Sequence, residues 1–517
     1  MLTVLTNGRR RASAKYCSLV LVACSAAGCA SIDSSFAPQR PFASAESAAC
    51  AAWFTQLDAA IERAGVRDAG TYRIPGFRYL RVDRFAASFG DEVKAYPPAF
   101  DAWALRLQAL DAAARAYELK NLPAQFLQAL NVRDKSEAAA QSGVCRSRLA
   151  GEQLRLSAQR ELLIARAQVP HDYVQWKRAL GLYPLTRVPF RAGVDAWERQ
   201  VEVKFSNAAA GATGAGQLTR YHAAAPAPPA ARVVAMFARL STDALGIPQL
   251  ERDDRETLFQ AYAPAFEIET AAGYDRIGSL AWGSDPAPHV DSADPVVYRR
   301  LAYTRYRGKT LLQLVYTIWF SERPRESPLD LLAGALDGVI LRVTLDAAGR
   351  PLVYDTIHPC GCYHLFFPSA RVRPLPPPEA GIEWAFIPAT LPAQDAGARV
   401  VLRIESRTHY VVGLRPDGGS GGDVAYRFAE DDDLRALPAA DGATRSAYGA
   451  DGIIPGTERA ERYFYWPMGV HNSGAMRQWG RHATAFVGRR HFDDADLIER
   501  RFELLPAEKA AARAVQP

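Results

Sequence analysis

The hydrophobic period changes along this chain, and that change restricts the folds open to it more than any other feature. Upstream of residue 206, apolar side chains recur at helical spacing. Cys50, Trp53, Phe54, Leu57 and Ile61 form one stripe that stops at Gly65, and Trp103, Leu107, Leu110, Ala114 and Tyr117 form a second within 100–119. A third stretch, rich in Ala, Arg and Leu, runs over 136–169 and meets Pro170, which cannot continue a helix. Downstream of residue 231 the period is two. Leu312, Leu314, Tyr316, Ile318 and Phe320 fall on one face of a strand, with Gln313, Val315, Thr317 and Trp319 on the other.

Residues 303–307 are placed to pair with that strand through Gly308. The segments 339–345 and 352–358 flank Asp346-Ala347-Ala348-Gly349, a hairpin signal with glycine where a left-handed residue is wanted. Further strands are expected at 400–404 and 410–414. Ala, Gly and Pro dominate the stretch between the two periods, with Pro226, Pro228 and Pro229 close together, which predicts a linker or exposed loop. The expected class is α+β. A mainly helical domain (46–205) and a linker (206–231) precede a larger, mostly antiparallel β-rich domain (232–517), because hairpin-length turns stand where a parallel sheet needs helical crossovers.

The first residues carry an address. Arg9-Arg10-Arg11 and Lys15 precede an apolar run over 16–27, which falls short of the roughly 20 residues a membrane-spanning helix needs and has the layout of a secretory signal. Ala26-Ala27-Gly28-Cys29, followed by Ala30-Ser31, resembles the lipobox of bacterial lipoproteins. The resemblance covers the leader alone. It implies a signal peptide over 1–28, a diacylglycerol on the sulfur of Cys29 and a tether over 29–45. It also implies a place in the bacterial envelope, at the outer membrane facing the periplasm. Leu21-Val22-Ala23-Cys24 is the competing box, with a shorter apolar run before it.

Four basic residues leave with such a leader, so most of the formal +6 disappears and no concentrated basic face remains to suggest nucleic acid. With 49% hydrophobic and 10% aromatic residues the remainder is expected to fold, because it can bury a core. Of seven cysteines, Cys50, Cys145, Cys360 and Cys362 remain once the leader and Cys29 are set aside, an even number that favours disulfides in an oxidising compartment. Cys50 with Cys145 is the candidate pair.

The segment His358-Pro359-Cys360-Gly361-Cys362-Tyr363-His364 carries the densest chemistry. Thiols and imidazoles at alternate positions are zinc-ligand types. An extended strand, however, would spread the first and last about 20 Å apart, beyond the reach of one ion with bonds of about 2.0–2.3 Å. Ligation by all four would therefore need a tight turn at Pro359 and Gly361. The favoured site takes two or three of His358, Cys360, Cys362 and His364 with a histidine from elsewhere, His471 or His482, and Asp493 or Asp494 as a ligand or behind one. The alternatives are a strained Cys360–Cys362 disulfide or an inert packed turn. His289 with Asp291, Ser284-Asp285 and the glycine run 418–422 read as solvated turns. No nucleophile elbow, H-E-x-x-H helix or dinucleotide fingerprint occurs.

The expectation is thus a lipid-anchored envelope protein of undetermined biochemical activity, a binding or structural lipoprotein at the membrane surface whose protein or glycan partner is not identified by the sequence. The alternatives are a zinc-dependent envelope hydrolase and a thiol–disulfide protein using Cys360 and Cys362.

Overall fold

A computed structural model describes residues 42–211, 216–283, 287–419 and 421–506. The leader with Cys24 and Cys29 and the Ser284-Asp285 pair lie outside these residues. No helix among the described residues is long and apolar enough to cross a membrane.

The four longest helices are α1 (Ala45–Ala64), α2 (Pro97–Asn121), α3 (Lys135–Gln153) and α4 (Tyr183–Ala209). Ser44 caps α1 by accepting from the Ser47 amide at 3.1 Å, and Gly65 closes it in the left-handed conformation. The stripes of α1 and α2 pack with the hairpin Tyr72–Ile74/Phe77–Val82 into one core that buries Trp53, Phe54, Phe77 and Trp103. The Cys50 and Cys145 sulfurs are bonded, with the two Cα atoms 5.0 Å apart, which staples α1 to α3.

The large sheet has ten strands, numbered here along the chain: β1 (Gln217–Ala223), β2 (Ala265–Thr270), β3 (Val296–Tyr306), β4 (Lys309–Arg323), β5 (Gly334–Leu345), β6 (Pro351–Ile357), β7 (Leu365–Pro368), β8 (Val400–Ile404), β9 (Val411–Pro416) and β10 (Val424–Glu430). Their spatial order is β7-β6-β5-β4-β3-β10-β1-β2-β8-β9, and the sheet curls into a nearly closed, barrel-like surface. The β3–β4 and β5–β6 hairpins form where alternation and turn residues predict them, with Asp346 accepting the Gly349 amide at 3.0 Å.

The expected division into helices first and strands later does not hold. Helix makes up 36% and strand 26% of the described residues, and helices are not confined to the N-terminal part. The physical reason is visible on β4, where every residue from Leu311 to Phe320 is buried, so the sheet needs cover on both faces. Helices Ala230–Arg239 and Arg252–Ala261, with α4, lay Val233, Met236, Leu258, Phe259, Val201 and Phe205 over Leu314, Tyr316 and Ile318. Residues 434–492 cover the opposite face, packing Leu434, Tyr448, Met476 and Phe492 against Trp319, Val315 and Ile340.

The sheet is also more mixed than its hairpins suggest, because β10 runs parallel to both β1 and β3 and β8 runs parallel to β2. The Ala/Gly/Pro-rich stretch contributes β1, a strand inside the sheet whose Tyr221 joins the core.

The covering C-terminal segment is held in place by buried charge. Arg435 Nε and Gln478 Nε2 both donate to Asp68 Oδ2, at 2.7 and 2.9 Å, and Arg84 donates to the Gly480 carbonyl at 2.8 Å. These bonds tie residues far apart in sequence.

Candidate functional site

The segment between β6 and β7 is a tight turn. The Gly361 amide donates to the His358 carbonyl at 2.8 Å, and the His358 amide donates to the Cys362 carbonyl at 3.0 Å. Gly361 has φ +89°, and a Cβ there would strike the Ala483 carbonyl, so the turn closes against the C-terminal segment only with glycine. The Arg477 backbone and side chain complete the seam by donating to the Pro359 and Cys360 carbonyls at 2.9 and 3.1 Å.

Although the turn forms, its side chains part company. His358 Nδ1 lies 3.0 Å from Asp337 Oδ1 on β5, and His364 Nε2 lies 2.9 Å from Asp355 Oδ2 on β6. His471 is exposed, 3.8 Å from Asp451, whereas His482 is buried against the Phe492 ring. Asp493 binds Arg84, and Asp494 binds the His491 amide. No three His, Cys, Asp or Glu side chains among the described residues are grouped to hold a metal ion. The set His358, Cys360, Cys362, His364, His471 and His482 is therefore not assembled into one site, because the turn sends its two histidines to different carboxylates. Burial also drives the His364 and His482 imidazoles down to about 3, so both are neutral.

Cys360 is buried and Cys362 half-buried, and both thiols are free. The bond to Cys360, then burial, pushes the Cys362 thiol well above its usual range. Held as a thiol, Cys362 is a poor nucleophile.

Behind the turn lies a buried polar chain that the sequence did not suggest. His409 Nδ1 is 3.0 Å from Asp337 Oδ2, and its Nε2 is 3.5 Å from Asp275 Oδ1. Burial opposes its cation, yet the two carboxylates outweigh burial and raise its pKa above the ordinary value. The ring stacks on Phe320 at 3.9 Å. Asp275–His409–Asp337–His358 thus pins the turn to the sheet from inside.

The turn forms one wall of a cavity of about 500 Å³, within the range of small-molecule sites. The face of α4 bearing Phe190, Val194 and Trp197 forms another wall, and residues 383–386 and 461–490 supply the rest. Aromatic rings dominate. Trp197 lies 5.3 Å from Tyr363 and 5.7 Å from Phe386, Tyr363 lies 4.5 Å from Tyr410, and Tyr465 lies 5.3 Å from Phe190.

Three carboxylates reach this apolar space, and burial raises the pKa of all three. Glu198 is paired with Arg191 at 3.1 Å, and Glu383 accepts the Phe486 and Val487 amides at 2.8 Å. Glu461 differs. It is 3% exposed, and its carboxylate has no hydrogen bond or ion pair to a described residue. Burial lifts it to about 7 against the pull of Arg459, Arg323 and Arg477. Gly474 makes room for it, since a Cβ there would overlap Glu461 Oε1. At neutral pH this carboxyl can donate a hydrogen bond, accept one, or face a cation. Sequence reasoning missed it because Glu461, between Ala460 and Arg462, looks like any solvated charge.

No protein-family model matches this chain, and neither a curated protein nor a solved structure matches it.

Proposed function

We propose that this chain is a lipid-anchored protein of the bacterial envelope that binds a small amphipathic molecule in the aromatic cavity. The observation that carries the binding is the pairing of an aromatic-walled space of about 500 Å³ with one unpartnered carboxyl, Glu461. An apolar site with few polar groups is the usual form of a small-molecule pocket, and the polar groups set the ligand's orientation. Glu461 suits a head group that is a hydrogen-bonding or basic function, while Trp197, Phe386 and Phe486 suit an apolar body. The anchoring rests on Ala26-Ala27-Gly28-Cys29, and the Cys50–Cys145 disulfide accords with an oxidising compartment.

Native mass spectrometry of the full chain, extracted from envelopes in mild detergent, tests both parts in one spectrum. The expected result is a diacylglycerol on Cys29 together with a small-molecule adduct that gentle activation releases. An unmodified Cys29 would refute the anchoring, and a chain that never carries an adduct would refute the binding.

A further inference from the structure

Beyond the cavity, the structure presents an unusual surface at its rim. Trp176, Leu180, Leu182, Leu185, Val188, Tyr463 and Phe464 are 59–70% exposed, and they make up half of the fourteen large apolar residues left strongly exposed among the described residues. They are concentrated on three adjoining elements. Helix Gln175–Leu180 is bonded to the turn Trp466–Met468 through the Val174 amide and the Gly469 carbonyl at 2.8 Å, and Arg178 reaches the Met468 carbonyl. The start of α4 follows immediately, and helix Arg462–Tyr465 adjoins the same turn.

Soluble surfaces scatter apolar residues singly, and a clustered patch of this kind marks an interaction site. It adjoins the cavity lining along the chain at two places. Val188 precedes the lining residues Pro189 and Phe190, and Phe464 precedes the lining residue Tyr465.

The charges identify the partner. From Tyr173 to Val194 the chain has no Asp or Glu but carries Lys177, Arg178, Arg187 and Arg191. Arg178 is buried and Arg191 is paired with Asp195 and Glu198. Lys177 and Arg187 have no carboxylate partner among the described residues. The same is true of Arg462, which donates to the Tyr463 hydroxyl, and of Arg489, which donates to Gln175. Exposed Trp and Leu interleaved with unpaired Lys and Arg is the pattern of a segment lying in a lipid interface.

We propose that this rim docks on an anionic phospholipid surface, Trp176, Leu180, Leu185 and Val188 entering the headgroup boundary while Lys177, Arg187, Arg462 and Arg489 meet lipid phosphates. The docking does not depend on a ligand occupying the cavity.

Hydrogen exchange of the full chain, with and without vesicles of phosphatidylethanolamine and about one third phosphatidylglycerol, reads the rim directly. The expected result is slowed exchange over 174–188 and 462–466 on vesicles. The variant K177E/R187E, altered only at partly exposed side chains, is expected to reverse that protection and weaken vesicle binding about tenfold or more. Unchanged exchange in both segments while the chain is vesicle-bound would overturn the proposal, because the lipid on Cys29 alone would then hold it. Protection that appears without vesicles as protein concentration rises would also overturn it, by assigning the patch to a second copy.

Discussion

Replacing Cys50 and Cys145 together with alanine is expected to lower folding stability by about 4–5 kcal/mol, the loop-closure value for a cross-link of this span. The two residues are 95 positions apart, and their bond joins α1 to α3 across the helical core. Both sulfurs are buried, so truncation to alanine also removes packed atoms rather than exposed ones. Chemical denaturation of the oxidised protein and the double variant checks this. The variant's midpoint is expected to fall well below that of the parent, and reduction is expected to bring the parent down to the variant. Coincident midpoints for the two oxidised proteins would refute the staple. The cavity lies outside that helical core, between α4, the 360–364 turn and the C-terminal segment, so ligand binding is expected to survive wherever the variant remains folded.

Glu461→Gln is expected to act in the opposite direction and to depend on pH. In the folded protein the Glu461 carboxyl sits near 7, above its ordinary 4.5, because burial penalises the charge. The folded state therefore binds more protons than the unfolded state between those values, and stability falls as pH rises through that window. Below about 4.5 the group costs nothing, and above about 7 the penalty is complete. A shift of this size corresponds to roughly 3 kcal/mol, so the glutamine variant is expected to be more stable than the parent at pH 8 by about that amount. At pH 4.5 the two are expected to converge. Unfolding curves across pH 4–8 read this directly, and parallel curves would show that Glu461 is not the buried, unpartnered acid described here. A folded protein that carries such a penalty at neutral pH is paying for a group that packing alone does not need, which is why Glu461 anchors the functional reading.

The sequence made the elements with local signals legible. The α1 stripe ended at Gly65 as expected, and β4 alternates as read, with Leu314, Tyr316 and Ile318 in one core and Val315 and Trp319 in others. The β5–β6 hairpin formed around its Asp-Ala-Ala-Gly turn. What stayed hidden lacked a local signal. Alternation shows which face a residue takes but not whether the second face is also covered, so the helices over β4 were missed. Parallel pairing leaves no turn in the sequence, and β1 sits between alanine- and proline-rich flanks, so its place beside β10 was invisible.

The candidate site divides in the same way. The chemistry of 358–364 stands out by composition, and its turn was foreseeable from Pro359 and Gly361. Its spatial partners were not foreseeable. Asp337, Asp355, His409 and Glu461 lie on other elements, and only the folded chain brings His358 to Asp337 instead of to a metal site with His471. The interest of the segment proved to be as a cavity wall.

The most direct test of the central claim fills the cavity from its rim. Gly193 lies on the face of α4 one turn before Trp197, lines the space, and has nothing within 4 Å of where a Cβ would stand. Gly193→Trp is therefore expected to fold at least as well as the parent, since glycine is a poor helix residue, while placing an indole in the space a ligand would take. Titration of both proteins with a fluorescent amphipathic amine, followed calorimetrically, should give one site per chain in the parent and a loss of at least tenfold in affinity in the variant. Equal binding by the two folded proteins, or no saturable binding by the parent to any amphipathic probe, would contradict the account.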